Sequence, residues 1–313
     1  MDLDIEGVVR RVPAWSRASL EIRLLSEGAT DRTYVIAFDD EDYVVRIPGE
    51  RTGLLGIDRR NEAEASRRAA DLGIGPPVFG ELPGIGTQIT QLVPGRPIDE
   101  LAFLGRLDDI VALVKHLHRS GPLTAQFPIH RVVEWHARDA SSHGAIPPAA
   151  YERLHQQSRH IEASFSASPV APVPSHNNLL PINVLGSTEV LPDTGPSRLW
   201  LVDFQYAGMN DVFFDLANLS VNSSFTSASD ERLLALYFGN FTPSAWARLQ
   251  LMKVMSLFRD GMWAIVQQAV STLDTDFASY AEERLGSCER LAASAEFGRW
   301  LNDARRHPIP GFG

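Results

Sequence analysis

Ser175-His176-Asn177-Asn178-Leu179-Leu180-Pro181-Ile182-Asn183, followed by Leu199-Trp200-Leu201-Val202-Asp203-Phe204, is the stretch on which the reading of this chain turns. The residues between the two parts, Asn183–Leu185 and Arg198–Val202, alternate as a hairpin with a tip at Pro192-Asp193-Thr194-Gly195-Pro196. Asp203 stands at the end of an apolar strand, placed either to reach into a cleft or to cap the next turn. Asn178 is a carboxamide, neutral at ordinary pH, with one acceptor oxygen beside two donor hydrogens.

Spacing gives these polar groups a chemical meaning. In phosphoryl transfer of the protein-kinase kind, an Asp orients the substrate hydroxyl, an Asn five residues later binds magnesium, and the Asp of a following strand-end triplet binds magnesium too. Asn178, Asn183 and Asp203 occupy those three places. A carboxylate can orient and deprotonate an alcohol, whereas an amide cannot take the proton. The scaffold reads as a kinase and residue 178 reads as a block.

Composition sets the outer limits. The 313 residues predict one bilobal unit or two modest domains, and 44% hydrophobic with 22% charged residues is ordinary for a folded protein. A formal charge of -10, with no basic run interleaved with aromatics, argues against nucleic acid and against an anionic membrane. Cys288 is the single cysteine, so no intrachain disulfide forms and a cytoplasmic location is expected. The start Met-Asp-Leu-Asp-Ile-Glu has no signal-peptide character, and no apolar run reaches membrane-spanning length.

The pattern predicts three antiparallel strands at Leu20–Leu25, Arg32–Phe38 and Asp42–Ile47, then a helix over Arg59–Asp71 capped by Asp58. Strands near Pro77–Phe79 and Thr87–Val93 complete a small sheet, and Pro94-Gly95-Arg96-Pro97 breaks regular structure. Beyond it helices are expected at Asp108–Arg119, Arg131–Ser142, Ala149–Phe165, Val212–Asn222, Glu231–Phe238, Ser244–Val270, Asp276–Ala293 and toward Arg306. The fold class is therefore α+β, a bilobal protein-kinase-like plan. Residues 1–93 are expected to form a lobe with a small antiparallel sheet, and residues 94–313 a larger helical lobe holding the catalytic loop.

The turn Gly28-Ala29-Thr30-Asp31 lies between two strands, so its amides are placed either for ATP phosphates or simply for a hairpin. The next strand delivers Arg46 on an otherwise apolar face, as a solvated edge residue or as a phosphate contact. The helix carrying Glu62 and Glu64 supplies an ion-pair partner for it. Asp215 opens a helix, where it caps the helix or holds the catalytic loop by hydrogen bonds. His116 and His118 face different sides of a helix, which excludes them as a metal pair, and His176 reads as a structural residue of its loop.

These motifs together resemble the choline and ethanolamine kinase branch of the aminoglycoside-phosphotransferase group. The carrying residues are Thr30 to Tyr34, Val45-Arg46-Ile47-Pro48-Gly49, Ile57-Asp58-Arg59 with Glu62, Gly75-Pro76 and Val93-Pro94-Gly95, then His176 to Asn183, Asp203 to Gly208, Phe214 to Asn218 and Met262 to Gln267. The resemblance covers nearly the whole chain, and it implies nucleotide binding by the 1–93 lobe and an alcohol pocket in the 94–313 lobe. It implies ATP and Mg2+ as cofactors, with Asn183 and Asp203 on the metal and Asn178 at the base position. It implies nucleotide contacts from Gly28, Thr30, the Arg46–Glu62 ion pair and the Gln91–Val93 backbone. It also implies an alcohol's ammonium head against Tyr206, Trp263 and Tyr280. Asp260, Trp263 and Gln267 share one helical face, so a carboxylate and an amide join that lining.

Three departures from the pattern bear on function. Glu27 replaces a loop glycine and Asp31 an asparagine, which brings acidic charge toward the phosphates, and Gln205 is a milder change. Asn178 is the third and bears on turnover itself. The expected function is phosphorylation of the hydroxyl of choline or a related amino alcohol by a chain that Asn178 impairs. The alternatives are a kinase of another small alcohol, such as a sugar or an aminoglycoside, and a catalytically silent nucleotide-binding protein. The oligomeric state does not follow from the sequence.

Overall fold

The computed structural model describes residues 4–28, 30–49, 51–187 and 198–306. Ala29 of the turn and the hairpin tip at Pro192–Pro196 lie outside the described residues. The chain divides into two compact units, Met1–Pro97 with Asn183–Tyr206, and Ile98–Ile182 with Ala207–Gly313. The expected division at residue 93/94 placed the 183–203 hairpin with the helices, whereas it groups with the sheet-bearing unit.

In chain order the first unit opens with α1 (Ile5–Arg11), β1 (Glu21–Glu27), β2 (Asp31–Phe38) and β3 (Glu41–Pro48). It continues through a 3-10 turn, Thr52–Leu55, to α2 (Arg59–Asp71), β4 (Val78–Leu82), β5 (Thr87–Gln91) and β6 (Gly95–Pro97). The antiparallel sheet runs β1-β2-β3-β5-β4, so β3 is paired on both sides. Its core is Val8, Val12, Trp15, Ile36, Val45, Ile47 and Ile89. Trp15 stacks on Phe79 with ring centres 5.5 Å apart. The sequence reading missed α1, whose seven residues are too few for a periodic signal but supply Val8 to that core. Asp58 caps α2 as predicted, accepting from the Arg60 N–H at 2.8 Å.

The second unit holds α3 (Glu100–Gly105), α4 (Leu107–His118), α5 (Ile129–Ser142), α6 (Tyr151–Ser166) and β7 (Val173–Ser175). Strands β8 (Val184–Ser187) and β9 (Leu199–Leu201) then return to the first unit, and β6-β8-β9 forms a small antiparallel sheet there. Pro94–Pro97 was expected to be irregular; β6 instead pairs with β8 as an edge strand, where Pro97 withdraws no required ladder bond. The second unit resumes with β10 (Gly208–Asn210), antiparallel to β7, then α7 (Val212–Asn222), α8 (Ser227–Phe238), α9 (Pro243–Val270), α10 (Phe277–Ala292) and α11 (Phe297–Arg306). The 28-residue α9 starts at a Thr242 cap with Pro243 in its first turn. It is buried along most of its length, and α5, α7, α10 and α11 pack around it. No helix among the described residues is long and apolar enough to cross a membrane.

Candidate active site

In the sheet-bearing unit the expected phosphate-side cation sits in a network of carboxylates. Arg46 Nη1 lies 2.8 Å from Glu62 Oε1, and Nη2 lies 2.9 Å from Asp203 Oδ1 and also contacts Asp31. The edge-strand reading of Arg46 is thereby corrected, because β3 is interior and the side chain is largely covered. Burial would lower the Arg46 pKa, but Glu62, Asp203 and Asp31 together hold it well above its ordinary value. Arg46 is a fixed cation.

The acidic substitution at residue 31 also takes a different meaning. Asp31 is 6% exposed, and its carboxylate is paired with both Arg46 and Arg59. Burial pushes the Asp31 pKa up, and the two guanidinium groups more than reverse this, so the carboxyl stays below its usual range. The charge is compensated inside the protein rather than turned on a phosphate. Arg59 Nη1 also reaches Glu62 Oε2 at 2.7 Å, so two arginines and Glu62 form one interlocked set. Arg59 was quoted in the resemblance but given no role from sequence; it stands three residues before Glu62 on a helix, and that spacing was the available signal.

The glycine turn is built as a hairpin first. The Gly28 N–H donates to the Asp31 carbonyl at 2.9 Å, so this amide does not point at a phosphate as expected. The Thr30 hydroxyl donates to Gln205 Oε1 at 3.1 Å, and Gln205 Nε2 approaches Asp203 Oδ2 at 3.4 Å. Gly49 donates its N–H to the Thr30 carbonyl at 2.8 Å, and a Cβ there would lie 2.7 Å from that oxygen. Only glycine fits that approach.

Asn183 is buried and Asp203 about a quarter exposed, and the Val202 N–H donates to the Asn183 carbonyl at 3.0 Å, which fixes the two residues in register. Asp203 adopts φ +69°, a left-handed turn at the strand end. Their side-chain oxygens are hard donors of the kind magnesium takes, and magnesium needs only one or two protein carboxylates beside phosphate and water. The donor set fits Mg2+. In the expected adenine segment the Gln91 N–H bonds Pro77, the Leu92 N–H bonds Asp42, and the Val93 carbonyl accepts from Gly95. Tyr206 of the expected ammonium lining belongs to this unit and is buried.

In the helical unit the 175–178 loop is pinned by one carboxylate. Asp215 is fully buried and accepts from the N–H groups of His176 and Asn177, both at 2.7 Å. Its Oδ2 also meets His118 Nε2 at 3.0 Å, and His118 Nδ1 meets the Tyr237 hydroxyl at 2.7 Å. Of the two roles weighed for Asp215, loop holding is the one found; the α7 cap is Asp211, which accepts from Phe213 N at 2.9 Å. Burial, followed by the charge of Asp215, pushes the Tyr237 phenol far above its ordinary pKa.

Asn177 holds the loop from its other side. It takes φ +60° and bonds Asn210 at 2.8 Å through Oδ1, while Nδ2 approaches the Gly208 carbonyl at 3.3 Å. Asn tolerates the left-handed region better than most residues. Neither Asn177 nor Asn210 was assigned a role from sequence.

Asn178 is 8% exposed, and its Oδ1 lies 3.4 Å from Arg259 Nη1. Arg259, 3% exposed and also missed in the sequence reading, pairs with Asp260 at 3.0 Å. Trp263 stands edge-on to Phe277 and to Tyr280, at 5.8 and 6.4 Å between ring centres. Gln267 is buried one turn beyond on α9. Along the C-terminal half of α9, Asn178 thus meets the unexpected Arg259, which pairs with Asp260, and Trp263 one turn on from Arg259 meets Tyr280.

A profile of the phosphotransferase enzyme family matches residues 21–252. Mouse ethanolamine kinase 2 is 24% identical over 298 residues, which span 86% of this chain and 75% of that protein. A choline/ethanolamine kinase family protein of Mesorhizobium loti superposes with a TM-score of 0.79 at 26% identity, covering 96% of this chain and 98% of that one. Choline kinase LicA of Streptococcus pneumoniae shares the fold, with TM-score 0.79 at 21% identity over 93% and 99% of the two chains. The family match spans well over half of the residues, and the chain belongs to the phosphotransferase enzyme family, in which it is similar to the choline and ethanolamine kinases.

Proposed function

We propose that the protein is an ATP- and magnesium-dependent phosphotransferase that acts on the hydroxyl of choline or a related amino alcohol, with turnover impaired by Asn178. The observation that carries this reading is Arg46, a cation on an interior strand held between Glu62 and Asp203. When bound, magnesium and ATP supply the phosphoryl group and neutralise its developing charge. The chain supplies the positioning. Asn183 and Asp203 hold the metal, Arg46 faces the phosphates with its orientation set by Glu62, and Asp215 fixes the loop that carries residue 178.

Asn178 can accept a hydrogen bond from the alcohol but cannot take its proton. That property also favours a second reading, a catalytically silent nucleotide-binding protein. A thermal-shift series with choline, ethanolamine, sugars and aminoglycosides, each with Mg2+ and an ATP analogue, separates these readings. Stabilisation by amino alcohols supports the proposal; stabilisation by a sugar or aminoglycoside alone replaces the substrate, and nucleotide binding with no alcohol response supports the silent protein.

Two substitutions test individual roles. Asp203→Ala is expected to abolish magnesium-dependent nucleotide binding while the fold persists, because the side chain is 26% exposed and fills no core volume. A loss of several kcal/mol in urea unfolding, of the size that core or network damage causes, would instead make Asp203 structural. Trp263→Ala is expected to weaken amino-alcohol binding by about 0.5–2 kcal/mol, the usual worth of a cation on an aromatic face. Calorimetry showing equal loss of nucleotide and alcohol would assign Trp263 to packing against Phe277 and Tyr280.

A further inference from the structure

Asp260 has one oxygen that the protein leaves without a donor. Its side chain is 5% exposed; Oδ1 takes Arg259 at 3.0 Å, while Oδ2 is buried and has no hydrogen-bond partner among the described residues. A buried carboxylate oxygen in that state is costly, and in folded proteins such atoms are regularly satisfied by something. Asp260 and Trp263 lie three residues apart on one face of α9, and Tyr280 stands beside Trp263. The Tyr280 phenol is pushed up to about 12 by burial and then by the charge of Asp260.

One of the two aromatic rings is already taken by a cation of the protein itself. The Arg284 guanidinium already lies over the Tyr280 ring, 4.9 Å from its centre. Arg259 pairs with the Asp260 carboxylate and Arg284 covers Tyr280, so two positive charges already stand among these side chains and a ligand recognised only by diffuse positive charge gains little there. A ligand with an N–H group gains a directed, charge-assisted hydrogen bond to Oδ2. A fully methylated ammonium has no such hydrogen and leaves Oδ2 unpaired.

We infer that this site selects an amino alcohol whose ammonium carries at least one N–H, held by Asp260 Oδ2, and discriminates against a quaternary ammonium. The inference rests on the amino-alcohol phosphotransferase reading above and narrows its substrate class. Asp260 is then the specificity-determining residue, and Arg259 positions it by holding Oδ1.

The test is calorimetric titration of the full chain, with Mg2+ and a non-hydrolysable ATP analogue, by ethanolamine and its N-methyl, N,N-dimethyl and N,N,N-trimethyl (choline) forms. The three N–H-bearing amines are expected to bind about tenfold or more tighter than choline, with the step at the last methyl group, because one charge-assisted hydrogen bond is lost there. Asp260→Asn keeps the volume and is expected to weaken those three amines while leaving choline nearly unchanged, with the unfolding midpoint confirming the fold. Choline binding as tightly as the dimethyl amine, or equal weakening of all four ligands by Asp260→Asn, overturns the inference and leaves the phosphotransferase reading standing. Should the variant not fold, the four-ligand series on the unaltered protein decides. Nucleotide binding with no response to any of the four amines overturns both readings.

Discussion

Asn178→Asp is expected to raise the rate of phosphoryl transfer to an amino alcohol by about 10²–10⁴-fold, the usual contribution of a positioned general base. The exchange replaces an amide by a carboxylate of nearly equal volume, so ground-state binding should change little. Two features of the helical unit make the outcome specific. The N–H groups of His176 and Asn177, the two residues before 178, are held by Asp215 at 2.7 Å, and the Asn177 side chain is bonded to Asn210, so the new carboxylate inherits a fixed position. Arg259 Nη1, 3.4 Å from the present amide oxygen, lies close enough to favour the ionised form of an Asp there. The measurement is product formation from ATP and a panel of amino alcohols by both proteins at equal concentration. An Asp form no faster than the Asn form with every amino alcohol would remove either the base assignment or the substrate class.

Asp215→Asn is expected to destabilise the protein by about 3–5 kcal/mol and to abolish transfer even in the Asn178→Asp background. Both oxygens of Asp215 are occupied by backbone N–H donors, and one of them also meets His118. An amide keeps one acceptor and turns two hydrogens toward a donor, so at least one buried N–H loses its partner, at about 1–3 kcal/mol for the unmet group alone. His118 and Tyr237 then lose the anchor of their chain. Urea unfolding reads the stability, and the assay above reads the loop. A variant that unfolds at the parent midpoint would show that the loop is held by Asn177 and Asn210 instead.

The elements of this chain were largely written in its local pattern. Period-two alternation gave the Arg32–Phe38 and Asp42–Ile47 strands within a residue or two of β2 and β3, Asp58 marked the start of α2, and long helical periodicity marked α9. These signals depend on neighbours in sequence, which is why they survive without a fold. Spacing also brought Arg46, Glu62, Asn183 and Asp203 forward as one set, and the sheet-bearing unit does join Arg46 to Glu62 and Asp203.

What tertiary structure alone decided is which charges meet. Asp31 looked like a liability until Arg59, 28 residues away, closed on its carboxylate. Asn178 looked like an isolated amide until Arg259, 81 residues away, was found beside it. His118 was a helix residue with no metal to bind until Asp215 and Tyr237 took its two nitrogens. Side-chain type states what a group can donate or accept, but a hydrogen bond or ion pair is made over about 3 Å of space, and only the packed chain sets those distances.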